Sequence, residues 1–214
     1  MLGLSAFGTG AENAPFGIKP AQAAEAAAPA VADFSQDASQ QMDELIQTGQ
    51  AILRNRSASD AAKVEDLQKL IIEGFDVNAV GRFLLGSYWR TATEAERAEF
   101  IALIKTITVA GYSARFNDYS QYRYENKGAK MDGKSALVYY QVIRPNNPTP
   151  INLQWRLIKS SDRPKIVDAI VEGISLGVTQ QQEFGSIIAS RGKGVQGLLE
   201  EIRARIAKKS LTNR

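Results

Sequence analysis

Two places in this chain of 214 residues put chemically useful side chains at telling spacings. Gly128 to Ser135 reads GAKMDGKS and satisfies the phosphate-loop pattern G-x-x-x-x-G-K-[ST], with Ile166-Val167-Asp168 downstream as an apolar run ending in a carboxylate. In that pattern the loop must open a helix, because the free N–H groups of a helix N-terminus hold the phosphates. Here the continuation is ALVYYQVI, β-branched and aromatic residues at a period of two, and no strand–helix–strand units surround it. Asp132-Gly133 is better read as a hairpin turn than as part of a nucleotide site.

The second place is Asp168 with Glu172. A carboxylate aimed into an apolar cup has its pKa raised by desolvation and serves as a general base, the arrangement of ketosteroid isomerase, and the tyrosines of this chain offer oxyanion donors. The competing reading keeps Asp168 near the start of a strand, reaching solvent or a backbone donor. Other chemistry is excluded by composition. The chain has no cysteine and no histidine, so thiol nucleophiles, Ser-His-Asp triads and Cys/His zinc sites cannot be built. Neither a metal nor a cofactor is expected. The formal charge of +3, from 26 basic and 23 acidic residues of interspersed sign, gives no basic face for nucleic acid.

The elements that must position these groups fall into two halves. From Ser35 apolar residues recur at three and four (Met42, Leu45, Ile46, Gly49, Ile52, Leu53), which predicts a helix to about Arg56. Ser59 caps a second helix to Glu73, ended by Gly74, and Asp76 caps a short third that closes at Gly86. Thr93 and Glu96 form a capping box that opens a long helix to about Phe116. The period then drops to two. Tyr122–Glu125, Ala136–Val142 and Ile151–Ile158 read as strands, and a short apolar strand within 164–172 follows, with turns at Asp132-Gly133, Pro145 to Pro150 and Ser160 to Pro164. Short turns make the sheet antiparallel. After Gly173 the pattern is helical again to about Ala189, and Val195, Leu198, Leu199, Ile202 and Ile206 stripe a last helix whose Arg203, Arg205, Lys208 and Lys209 are expected to form a solvated face, the alternative being a partner or lipid-headgroup surface.

Helices, then a meander, then helices give an α+β fold with helices packed over one face of a curved antiparallel sheet. Residues 1–33 are low-complexity Ala/Pro/Gly and stand outside it, 34–209 form one domain, and 210–214 are a tail. Ala21-Gln22-Ala23 has the A-x-A form of a signal peptidase site, although no Lys or Arg precedes the apolar run from Met1. Export is the expectation, with the basic start of the leader lying upstream of this Met1; the alternative is a disordered Ala/Pro tail. No other stretch reaches the roughly 18 apolar residues of a membrane helix. Periodicity does not separate a packed core from a lined cavity, so the residues alone stop at an α+β domain.

Two stretches carry more. Phe75 to Phe100, FDVNAVGRFLLGSYWRTATEAERAEF, resembles the signature F-D-x-x-x-h-x-x-x-h-L-G-x-Y-W-R-x-A-T-x-x-[EQ]-R-x-x-F of the MlaC-type family of toluene-tolerance proteins, periplasmic lipid-binding components of bacterial phospholipid transport. Val171 to Phe184 is similar to that family's V-E-G-[VI]-S-[LM]-h-x-T-x-Q-x-E-[FW], and Gly192 to Leu199 to its G-x-x-G-L-[LIT] tail. The chain departs from the pattern at Arg163 to Ile166, where a tryptophan often precedes the strand, and at Gln180-Gln181, in place of a more basic pair.

The resemblance implies an NTF2-like α+β cup with additional N- and C-terminal helices, clasping acyl chains with the headgroup near solvent and holding no catalytic residues. It implies a phospholipid ligand, the periplasm, an inner-membrane ABC transporter complex as partner, and an outer-membrane lipoprotein. On inferred inward faces the lipid-lining candidates are Val80, Phe83, Leu84, Ile104, Ile107, Tyr112, Val138, Tyr140, Leu153, Trp155, Ile170 and Leu176. Of the matched motif residues, Gly86 and Gly173 are expected to permit turns, Ser175 to cap a helix, and Glu172 or Arg90 to make a structural ion pair. The alternatives are a carrier of hopanoid or another lipid, an NTF2-like isomerase using Asp168, and a ligand-free scaffold with a filled core.

Overall fold

Side-chain caps set the starts of four of the helices in the computed structural model, which describes the backbone of residues 32–113 and 116–212 and the side chains of these apart from 109–113, 116–117 and 209–212. The leader-like segment and the side chain of Tyr112 lie outside the described residues. Helix α1 spans Ser35–Arg54. For α2, Asp60–Gly74, the Ser59 hydroxyl accepts from the Ala62 N–H at 3.2 Å, and for α3, Val77–Leu85, Asp76 accepts from the Ala79 N–H at 2.9 Å. The capping box before α5, Glu94–Ser113, is complete: Thr93 N–H donates to Glu96 at 2.8 Å and Glu96 N–H to the Thr93 hydroxyl at 3.2 Å. Each such cap satisfies orphan amide groups and is worth about 1 kcal/mol.

Between α3 and α5 lies an additional single turn, α4 (Tyr88–Thr91), and after α5 comes α6 (Phe116–Gln121). The strands are β1 (Arg123–Asp132), β2 (Ser135–Arg144), β3 (Asn147–Ile158), β4 (Lys165–Val171) and the two-residue β5 (Ile174–Ser175). They form one antiparallel meander in sequence order. Gly128 to Ser135 is the end of β1 and its hairpin, so no helix follows the lysine and the phosphate-loop pattern has no physical basis here. The turn expected across Pro145 to Pro150 is only Pro145-Asn146, since β3 already pairs Asn147 with Arg144.

Register shifts interrupt the ladder between Asn126 and Ala129, between Val142 and Arg144, and between Arg156 and Leu157. Such bulges bend and twist strands, which curves the sheet away from the helices laid over it. Helix α7 (Leu176–Arg191) follows β5, capped by Ser175, whose hydroxyl accepts from the Val178 N–H at 2.9 Å; α8 (Gly194–Thr212) ends the described chain.

Apolar packing is split between two clusters. One is purely helical and joins α3, α5, α7 and α8 through Leu85, Phe100, Phe184, Leu198, Leu199 and Ile202, with Phe100 and Phe184 edge to face at 5.6 Å. The other joins α1 to the sheet through Ala38, Met42, Ala136, Val138, Tyr140, Leu157 and Ile166. Arg203 and Arg205, expected as a solvated face, are tied by ion pairs to Glu99, Glu183 and Glu201, so they fasten α8 to α5 and α7.

Candidate functional site

The site begins at the joint between α2 and α3. Asp76 N–H donates to the Ile166 carbonyl at 3.0 Å, and Phe75 bridges Ile166, which ties the joint to β4. That tether sets the Phe75 ring edge-on to Trp155 of β3, centroids 6.2 Å apart and planes at 85°. On either side of this aromatic pair the packing opens. Between α1 and α2 lies a cavity of about 140 Å3 bordered by Met42, Leu45, Leu53, Leu67, Leu70 and Ile71. On the other side, between the curved sheet and α3, α5 and α7, lies a cavity of about 480 Å3. Phe75, Tyr119, Tyr124 and Trp155 border both, so one aromatic wall separates two lobes.

The larger lobe is bordered by Val80, Leu84, Ile104, Val142, Ile151, Leu153, Ala169, Val171 and Leu176, with Thr108, Asp168 and Gln180 as polar exceptions. Its volume falls within the range of ordinary ligand pockets. Of the residues predicted to face inward, Val80, Leu84, Ile104, Leu153, Trp155 and Leu176 border it. Ile107 packs instead against the helical cluster, and Val138 is fully buried in the cluster under α1. Phe83 is 41% exposed and its ring lies against Gly177 at the start of α7, without bordering the lobe.

Tyr140 is inward but tied off. Its hydroxyl donates to Asp43 at 2.5 Å and accepts from the Asn126 amide at 3.2 Å, and burial, followed by the Asp43 hydrogen bond, pushes the phenol well above its ordinary range. Ile170 is placed differently because of the bulge in β4. The pairing Leu157–Ile166 shifts to Arg156–Asp168, leaving Val167 extra, so Ile170 stands opposite Gln154 rather than on the face of Trp155. Ile166 and Ile170 therefore do not share a face, and Ile170 borders neither lobe.

Asp168 borders the larger lobe, yet both its oxygens are engaged. One accepts from the Ser175 hydroxyl at 2.6 Å and the other from the Gly177 N–H at 2.9 Å. A carboxylate at a helix N-terminus, aligned with the free amides and the helix dipole, is a structural cap. Gly177 permits this approach, since a Cβ there would stand 2.9 Å from the carboxylate oxygen and 3.0 Å from the Phe83 ring. Glu172, expected in an ion pair, has a different partner: its carboxylate accepts from the Asn152 N–H at 2.7 Å and the Asn152 amide at 3.3 Å. These bonds hold Glu172 at φ +49° beside Gly173 at +80°, the two positive values a tight two-residue strand turn needs.

The LG-x-YW-R stretch also builds structure around the lobe. Gly86, at φ +54° and ψ −128°, adopts a conformation that suits glycine alone and ends α3. Two guanidinium groups stand over the Trp89 ring, Arg82 at 5.8 Å and Arg97 at 5.4 Å from its centroid, and Arg97 also donates to its carbonyl at 2.8 Å. This clamp fixes the corner from which α3 and α5 diverge. Phe75, Tyr119, Tyr124 and the α1–α2 lobe were not among the sequence candidates, whereas Val142 and Ile151 continue the same alternation as Tyr140 and Leu153 and were legible in it.

Among the described residues, no group of acidic side chains is arranged to hold a metal ion, and no helix is long and apolar enough to cross a membrane. The fold matches a solved structure described as the phospholipid-binding protein from Ralstonia solanacearum in complex with a phospholipid, with a TM-score of 0.70 at 22% identity, covering 84% of this chain and 99% of that one. The family model described as MlaC protein matches residues 37–204, nearly the whole folded part, and the chain belongs to the MlaC family.

Proposed function

We propose that this protein binds phospholipid and carries it through the periplasm between inner and outer membranes, as the soluble component of an ABC-type lipid transport system. The observation that carries the reading is the pair of apolar lobes, about 480 and 140 Å3, walled by the curved sheet and helices. A carrier has a simple thermodynamic task. Each methylene kept from water is worth about 0.8 kcal/mol, so two chains of sixteen carbons or so cost on the order of 20 kcal/mol to expose. A lined, largely apolar interior meets that requirement without metal, nucleotide or catalytic base. The phospholipid bound by the Ralstonia relative supports the same ligand class.

The isomerase reading loses its base, because Asp168 is committed to Ser175 and Gly177 as a helix cap. Energy for directional transfer comes from the partner transporter in the inner membrane, and the outer-membrane partner is a lipoprotein. The leader-like N-terminus supports export. The test is organic extraction of purified protein followed by mass identification of what is released. Two-chain phospholipid near one per protein is expected; hopanoid as the sole product would redirect the reading, and no lipid in repeated preparations would end it.

A further inference from the structure

The apolar lobe does not end at a blank rim. Tyr122, on its border, also borders a separate polar pocket of about 360 Å3 formed by Asp118, Gln121, Arg144, Pro145, Asn146 and Asn147. On β2 the lining passes from Val142 in the apolar lobe to Arg144 in the polar pocket within two residues. Arg144 has a buried guanidinium Nε with no hydrogen-bond partner, and none of the ion pairs found among the described residues includes it. An unanswered buried donor on a cation is a costly feature to retain unless a ligand answers it. Asp118 borders the same pocket, is exposed, and forms no ion pair with Arg144.

Resting on the phospholipid reading above, we propose that this pocket binds a zwitterionic headgroup, with Arg144 donating to the phosphate and Asp118 accepting from a primary ammonium. The charges are opposite, unspent on each other, and placed where an acyl chain in the larger lobe would emerge beside Tyr122. An anionic headgroup without an amine would satisfy Arg144 and leave Asp118 facing like charge.

The experiment loads delipidated full-length protein from vesicles of equal parts dioleoyl phosphatidylethanolamine and dioleoyl phosphatidylglycerol with a minor share of dioleoylglycerol, so that the acyl chains are the same throughout. The re-isolated protein is extracted and its lipids are counted by mass. Wild type is expected to favour the ethanolamine lipid by about fivefold, as one partly solvated ion pair gives. Asp118→Asn brings that ratio to about one while total loading holds, and Arg144→Gln lowers both phospholipids about tenfold relative to dioleoylglycerol. Equal uptake of the two phospholipids by wild type, or an unchanged ratio in Asp118→Asn, overturns the headgroup assignment and leaves the carrier reading standing. Uptake of none of the three lipids overturns the carrier reading and the assignment with it.

Discussion

The helical cluster and the sheet side of this molecule are built from the same kinds of residue and end in opposite states. Where α5, α7 and α8 meet, Phe100, Leu198, Leu199 and Ile202 are at most 1% exposed and the space between helices is filled. Where α3, α5 and α7 face the sheet, Leu153, Trp155 and Val171 are only partly buried and border open volume. The difference lies in shape. Ridges on neighbouring helices interlock, whereas a sheet bent by bulges curves away from a straight helix and leaves a gap that side chains of this size do not close.

The contrast is broken or sharpened by substitution, taken on delipidated protein and read by urea denaturation. Leu198→Ala, in the filled region, is expected to cost about 3 kcal/mol or more, against about 1 kcal/mol for Leu153→Ala, whose side chain already borders empty space. Comparable losses at the two sites would mean that the sheet side is as well packed as the helical one. Enlargement should reverse the comparison: Ala92→Leu overpacks the helical cluster and costs about 2 kcal/mol, while Ala169→Leu, projecting into the larger lobe, costs less than about 1 kcal/mol.

Tyr140 belongs to the cluster under α1, an inward residue fixed by Asp43 and Asn126 rather than left lining the cavity. Tyr140→Phe is expected to cost about 1.5 kcal/mol near neutral pH. The folded phenol holds its proton above the ordinary value of 10.0, so that contribution is fully present below pH 10 and declines as pH rises past it, because the unfolded chain then ionises. The gap in melting temperature between wild type and Tyr140→Phe should therefore narrow above pH 10; a gap independent of pH would contradict the buried hydrogen bond to Asp43.

Local devices were legible in the sequence because they are short-range. Ser59, Asp76, the Thr93–Glu96 box and Ser175 each act within a turn, and each caps the helix expected of it. The alternation in β2 and β3 gave the inward face, since cross-strand pairs such as Val138–Trp155 and Tyr140–Leu153 keep one parity. What sequence reasoning missed depends on distant partners. The extra residue in β4 turns Ile170 away from Trp155, and nothing in KIVDAIV announces it. Tyr140 finds its partner 97 residues earlier in the chain, and Asp168 looked like a base because Ser175 and Gly177 reach it only after the turn at Glu172-Gly173. A filled core and a lined cavity share one hydrophobic pattern, so the aromatic wall at Phe75 and Trp155 had no sequence signature of its own.

The central claim, that the open side of this fold is where lipid resides, is tested most directly by native mass spectrometry of wild type beside Ala169→Phe, whose ring would occupy the larger lobe. Wild type is predicted to carry an adduct with the mass of a two-chain phospholipid, and the folded variant to be bare or nearly so. An adduct of equal mass and occupancy on both proteins, or none on wild type, would contradict the account.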